Sequence, residues 1–214
     1  MNIAAARIPK DLPVLEHLRK LILGDETLSA AVIRNDDISH LIAKSFSASE
    51  IRLEKVNATQ AKLEKTSFSD VVLVNCDLIA TALPEASWCR VAIKNSRCSG
   101  LQLQPSTLKD VTFTGCKLNL ANFRLSKLTN ICFADCVLDE ADFYAAELQN
   151  VVFMNCTLDK TEFSSAKLRR VDFRTSDIIG VKGIGSLAGA IIDSAQLVTL
   201  APLLASVLKI EVRD

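Results

Sequence analysis

A Leu or Phe falls at every fifth residue from Leu103 to Phe173, and no other feature of the chain constrains its fold as much. The series runs Leu103, Leu108, Phe113, Leu118, Phe123, Leu128 and onward without a miss. In the same register it extends back through Cys98, Ile93, Trp88, Leu83, Phe68 and Ala58 to Leu53, and forward to Ile178. Two residues before each member lies a second regular position, which is mostly small or β-branched. That position also repeats every twenty residues: Val111, Ile131, Val151 and Val171 match, as do Cys116, Cys136 and Cys156.

Between Ile51 and Ile178 each series has 26 positions, and none of them is charged. At the chain's charged fraction of 23%, about 12 charges would fall there by chance. Inside is therefore separated from outside with a period that is neither 2 nor 3.6, which rejects ordinary strands and amphipathic helices. A five-residue unit with two inward residues has to turn after each unit, so four units close a square. Twenty residues then make one coil, and coils stack at about 4.8 Å with their backbones paired. The interior is narrow, so the minor position is small and Leu and Phe stack in columns along the axis. The turn position before the cysteine column holds Asn75, Asn95, Gly115, Asp135 and Asn155, residues that tolerate tight or left-handed backbone.

The chemistry is sparse. Lys and Arg number 25, as do Asp and Glu, and the formal net charge of zero argues against direct nucleic-acid binding. Only His17 and His40 could supply imidazole. No phosphate loop, HExxH motif or GxSxG elbow is present, and a filled rod offers no pocket for a catalytic pair. The expectation is therefore no enzyme, no cofactor and no metal. A ladder spreads Cys76, Cys116, Cys136 and Cys156 along a line instead of converging them on one ion, so they read as packing residues. Cys89 and Cys132 fall at outward positions. Seven cysteines, an odd number, and no secretory leader point to free thiols in a reducing cytoplasm. No run of 18 apolar residues exists to cross a membrane.

The run CKLNLANFRLSKLTNICFADCVLDEADFYAAEL resembles the pentapeptide repeat proteins, with their A(D/N)Lxx-like unit. The resemblance implies an all-β solenoid, a right-handed quadrilateral β-helix, over residues 31–180. Residues 31–50 are degenerate, with Asp36 at an inward slot. Residues 1–30, which include the Leu-rich DLPVLEHLRKLIL, form either a capping helix or an extended arm over the first coils. Residues 181–214 make an irregular Gly-rich exit and a C-terminal helical cap, with Asp193 or Ser194 as N-cap. The stripe Leu197, Leu200, Leu204 and Leu208 is a candidate cap or dimer interface. In gyrase-interacting relatives the C-terminal end forms a homodimer, so the resemblance brings that option with it. Trp88 is large for the cross-section and is flanked by Pro84 and Pro105, which predicts a distorted or widened coil over 83–106.

What remains is the outer surface. Residues 90–127, 131–150 and 167–174 carry net charges of +6, −5 and +3, bands that alternate in sign along the chain. The acidic band, Asp135, Asp139, Glu140, Asp142 and Glu147, is the candidate docking surface, although neutralisation between coils also accounts for it. The function expected is a non-enzymatic interaction module of unidentified protein partner. The alternative is a DNA gyrase- or topoisomerase-interacting protein of the quinolone-resistance, DNA-mimic type, a reading that the single acidic band weakens.

Overall fold

The computed structural model describes residues 3–24 and 27–213. Residues 1–2, 25–26 and 214, parts of the expected N- and C-terminal segments, lie outside it. The elements are β1 (Val14–Leu15), α1 (Leu18–Leu23), β2 (Leu28–Arg34), β3 (Ile42–Ala43), β4 (Phe46–Glu54), β5 (Lys62–Leu63) and β6 (Thr66–Val74). They continue with β7 (Ser87–Lys94), β8 (Thr107–Thr114), β9 (Lys127–Ala134), β10 (Glu147–Met154), β11 (Lys167–Asp172), β12 (Ala190–Ile191) and α2 (Ser194–Val207). Ten strands stack in one sheet in the order β1-β2-β4-β6-β7-β8-β9-β10-β11-β12, and β3 pairs with β5 in another. All pairs are parallel. From β2 to β11 every residue pairs with the one twenty positions on, as in Val71↔Val91, Val91↔Val111 and Val151↔Val171. The twenty-residue superperiod is thus one coil of a parallel solenoid.

Inward columns fill the axis. Phe113, Phe133, Phe153 and Phe173 stack face to face with centroids 4.9 to 5.0 Å apart. Phe123, Phe143 and Phe163 form a second stack at 4.8 and 5.2 Å. Rings of one stack meet those of the other edge to face, the arrangement their quadrupoles favour. In the N-terminal coils the aromatics sit in a different column: Trp88 lies parallel on Phe68 at 5.4 Å, and its indole N–H donates to Thr66 Oγ1. The register runs through this region unbroken, with Phe68↔Trp88 and Trp88↔Leu108. The expected distorted coil over 83–106 does not form: Trp88 is accommodated in register, and the one irregularity of the stretch is the corner at Pro105. Beside Trp88, on the N-terminal side, an apolar cavity of about 30 Å³ lies among Phe46, Leu73 and Leu83.

The corners show how the square closes. Positive φ recurs at every fifth residue from Ala30 to Arg170, save Ser45 and Pro105. The proline ring fixes φ near −65° and bars that corner from the left-handed region. Thirteen of these 27 corners carry Lys, Glu, Arg, Ala or Leu, and there ladder bonds and buried columns outweigh a left-handed cost of about 1–2 kcal/mol at each.

A second rule operates inside. At most minor positions that hold Ser, Thr or Cys the side chain donates to the carbonyl 23 residues earlier, one coil back; Ser96 instead donates to Lys94 C=O, and Thr66 accepts from Trp88. Thr81, Ser126, Thr161 and Ser176 reach Ala58, Leu103, Leu138 and Phe153 at 2.7 to 2.9 Å. The cysteine column does the same with longer sulfur contacts of 3.4 to 3.6 Å. These side chains are therefore small because the interior is narrow, and polar because a buried carbonyl needs a donor.

Both ends are closed. At the N-terminus, α1 buries Leu18 and Ile22 against the first coil. Asp36, the inward carboxylate, accepts the helix's first amide, Leu18 N–H, at 2.6 Å. Ahead of the helix, β1 adds a rung, Val14↔Val32, and residues 3–12 run extended along the outside. At the C-terminus the last rung is one residue short, Val171↔Ala190. Gly183 and Gly189 permit it: both have positive φ, and a Cβ at either would lie 2.2 Å from backbone of the preceding coil. Asp193 caps α2 through a reciprocal box with Gln196. The Gln196 amide then donates to the carbonyls of Phe173 and Ser176, both at 2.8 Å, tying helix to coil.

Candidate docking surface

Each coil has four faces, so residues that are neighbours in sequence are spread around the rod. Residues twenty apart lie side by side. The five acidic candidates belong to one coil and do not share a face. Asp135 and Glu140 occupy successive corners, Asp142 lies on the face beyond, and Glu147 begins the next one. Each except Glu140 has a partner in a neighbouring coil. Asp142 pairs with Arg124 at 2.9 Å, and that guanidinium also sits 4.2 Å over the Tyr144 ring. Glu147 pairs with Lys167 at 3.0 Å, which holds its carboxyl below the ordinary value. Asp135 accepts from the Asn155 side chain and Asp139 from the Asp159 amide. Charge that forms a band along the sequence becomes a ring around the rod, partly neutralised between coils.

Sorting outward positions by face shows a different arrangement. On the face built by the second halves of β8, β9 and β10, past the corners at Asp110, Asn130 and Asn150, the outward residues are Thr112, Thr114, Cys132, Ala134, Val152 and Met154. None is charged. Their ladder pairs run Thr112↔Cys132↔Val152 and Thr114↔Ala134↔Met154. Lys94 borders this neutral stretch on one side and Asp172 and Arg174 on the other, with Asp172 and Arg174 paired at 2.7 Å. Met154 is exposed, Ala134 beside it is buried, and Thr112, Thr114, Cys132 and Val152 are half-buried, so the face is low in relief. The signal was present in the sequence, but only when outward residues are read down columns of twenty instead of summed along the chain.

The diagonally opposite edge differs. Asp139, Glu140, Asp159 and Glu162 lie within two adjacent coils there, beside Lys160. All seven cysteines are free, with Cys89 and Cys132 half-buried and the other five buried. Burial pushes the Cys76 and Cys132 thiols above the ordinary value. Among the described residues, no three of His, Cys, Asp and Glu gather as a metal would require.

The C-terminal stripe divides. Leu200 is buried and Leu204 half-buried against the solenoid, whereas Leu197 and Leu208 are 51% and 67% exposed. Val198, Val207, Ile210 and Val212 add to the exposed apolar side. Among the described residues, no helix is long and apolar enough to cross a membrane.

The family model for the pentapeptide repeat region matches residues 66–135 and 126–186, more than half of the chain. No curated protein sequence matches. Among solved structures, full-length QnrB1, a plasmid-mediated fluoroquinolone resistance protein, is 20% identical. That match covers 90% of this chain and 94% of the other, with a TM-score of 0.44. HetL, a pentapeptide repeat protein involved in heterocyst differentiation regulation from the cyanobacterium Nostoc sp., is 16% identical over 78% of this chain and 90% of its own, with a TM-score of 0.30. At these values the likenesses carry no functional weight.

Proposed function

Because the chain belongs to the pentapeptide repeat family, we propose that it is a non-enzymatic docking rod, a right-handed quadrilateral β-helix that presents a flat face to a partner protein. The observation that carries this reading is the uncharged face Thr112–Thr114, Cys132–Ala134, Val152–Met154, bordered by Lys94, Asp172 and Arg174. A neutral centre with a charged rim is the anatomy of protein interfaces, where desolvating the centre costs little and the rim sets orientation. Ladder bonds and stacked rings hold the backbone fixed, so little entropy is lost on docking. Affinity capture on the immobilised chain tests the proposal. The prey should be lost when Thr112→Glu and Val152→Glu place charge on this face, and prey that persists unchanged contradicts it.

The narrower reading, a gyrase or topoisomerase partner, is supported by the acidic edge Asp139, Glu140, Asp159 and Glu162. Lys160 and Arg124 interrupt that edge, and the net charge of the chain is zero. A supercoiling assay with excess protein decides it: inhibition or protection supports the reading, and no effect removes it. The exposed Leu197 and Leu208 support a homodimer through α2, with Leu200 and Leu204 spent on the cap. Leu197→Asp with Leu208→Asp should then give a monomer by light scattering where the wild type is a dimer.

A further inference from the structure

Residues 3–12 run back along the rod, opposite to the direction in which the coils advance. Arg7 N–H donates to Asp70 Oδ1 at 2.8 Å, and Ala4 N–H reaches Asp110 Oδ1 at 3.5 Å. Further on, Pro13 C=O accepts from Val32 N–H at 2.9 Å, where β1 begins. Asp70 and Asp110 occupy the same corner two coils apart. Both side chains point outward, yet they are only 7% and 8% exposed. Other members of that corner, Glu50, Arg90, Asn130, Asn150 and Arg170, are half-buried or exposed. The segment bonded to the two aspartates is what shields them.

The two carboxylates are held independently of this segment. Asp70 is held by Arg90 from the next coil, through Nε at 2.7 Å and Nη2 at 2.6 Å. Asp110 is held by the Asn130 side chain at 3.0 Å, and Asn130 in turn by Asn150 at 3.1 Å. Each carboxylate thus keeps one position aimed at the strap. Both strap contacts come from backbone N–H groups three residues apart, and main-chain donors carry no sequence requirement. The side chains between them are Ala5 and Ala6, which bury little apolar area.

We propose that the Asp70–Asp110 corner is a binding site for an extended peptide segment of a partner protein, and that residues 3–12 occupy it in the isolated chain as a displaceable placeholder. The ligand is an extended strand with free N–H groups at positions i and i+3, the spacing of the Ala4 and Arg7 amides. This site lies on the corner that edges the uncharged face and stands whether or not that face docks a protein. A strap tethered by a few residues competes at a local concentration of the millimolar order, so a segment in trans must be tight or the strap weakened.

The test uses the full-length chain carrying Ala4→Pro and Arg7→Pro, which removes both donors and leaves both carboxylates and their Arg90 and Asn130 partners in place. A fluorescent synthetic peptide of residues 3–12 is titrated against it. Saturable binding to this variant, absent with the wild type at the same concentration and about tenfold or more weaker when Asp70→Asn and Asp110→Asn are added, supports the site. Binding that ignores the two carboxylates, or no binding up to millimolar peptide, overturns it. Amide exchange on the unmodified chain gives a check that needs no variant. The Arg7 amide should be protected relative to Ala5, and equal rates would also overturn the proposal.

Discussion

Ser126 Oγ lies 2.7 Å from the carbonyl oxygen of Leu103, 23 residues earlier, and accepts the Ser106 amide at 3.0 Å. One buried hydroxyl thus satisfies two backbone groups of the preceding coil. Ser126→Ala leaves both without partners at a fully buried site and should cost about 1–3 kcal/mol in urea unfolding. Ser126→Thr keeps the donor, as Thr81 and Thr161 do at their own positions, and should cost less. Equal losses for the two variants would show that volume, not the hydrogen bond, matters there.

Trp88 is the only tryptophan, and it is buried against Phe68. Its fluorescence should be blue-shifted and resist quenching by iodide until the rod unfolds. Trp88→Ala enlarges a cavity that already exists beside it and should cost about 3–5 kcal/mol. A red-shifted, freely quenched native spectrum would contradict the packing.

The Arg90 guanidinium holds the Asp70 carboxyl below its ordinary value, with Arg7 N–H adding to the effect. A depressed carboxylate contributes stability that is fully present above its unfolded value of about 3.9 and is lost as pH falls through the folded one. Asp70→Asn should therefore destabilise the protein by about 1–3 kcal/mol at pH 7 and much less at pH 2. Urea midpoints at the two pH values measure this, and a cost that does not shrink at low pH would show that the pair does not act through charge.

Cys132 lies on the uncharged face with its thiol pushed above the ordinary value by burial. Its alkylation should be slow near neutral pH and accelerate at higher pH than for a free thiol. Buried Cys116, Cys136 and Cys156 should react only on unfolding. Mass spectrometry after timed iodoacetamide treatment reads both, and early labelling of Cys136 would contradict the closed interior.

Much of this rod is legible in the sequence because five- and twenty-residue periods are imposed by geometry with few solutions. The columns of Phe113 and Phe123 and the turn at Asn75 follow from that periodicity. The remaining corners did not, since Lys55, Glu85 and Leu125 are poor left-handed residues that the ladder holds there regardless. The inward hydroxyls and thiols also read as mere small residues, because their acceptors lie 23 positions away. The acidic residues from Asp135 to Glu147 were grouped by proximity in sequence, which in a coil means placement around the circumference. Thr112, Cys132 and Val152, far apart in sequence, are what share a face. The strap was harder still, since backbone N–H donors leave no trace in residue type.

Site-specific photo-crosslinking tests the central claim most directly. A photoreactive amino acid replaces Thr112 on the uncharged face in one version of the chain and Asn122 on the opposite side of the same coil in another, both half-exposed. Exposed to the partner recovered by affinity capture, the first should form a discrete adduct and the second little or none. Equal adducts from both positions, or an adduct from Asn122 alone, would contradict a docking rod that works through this face.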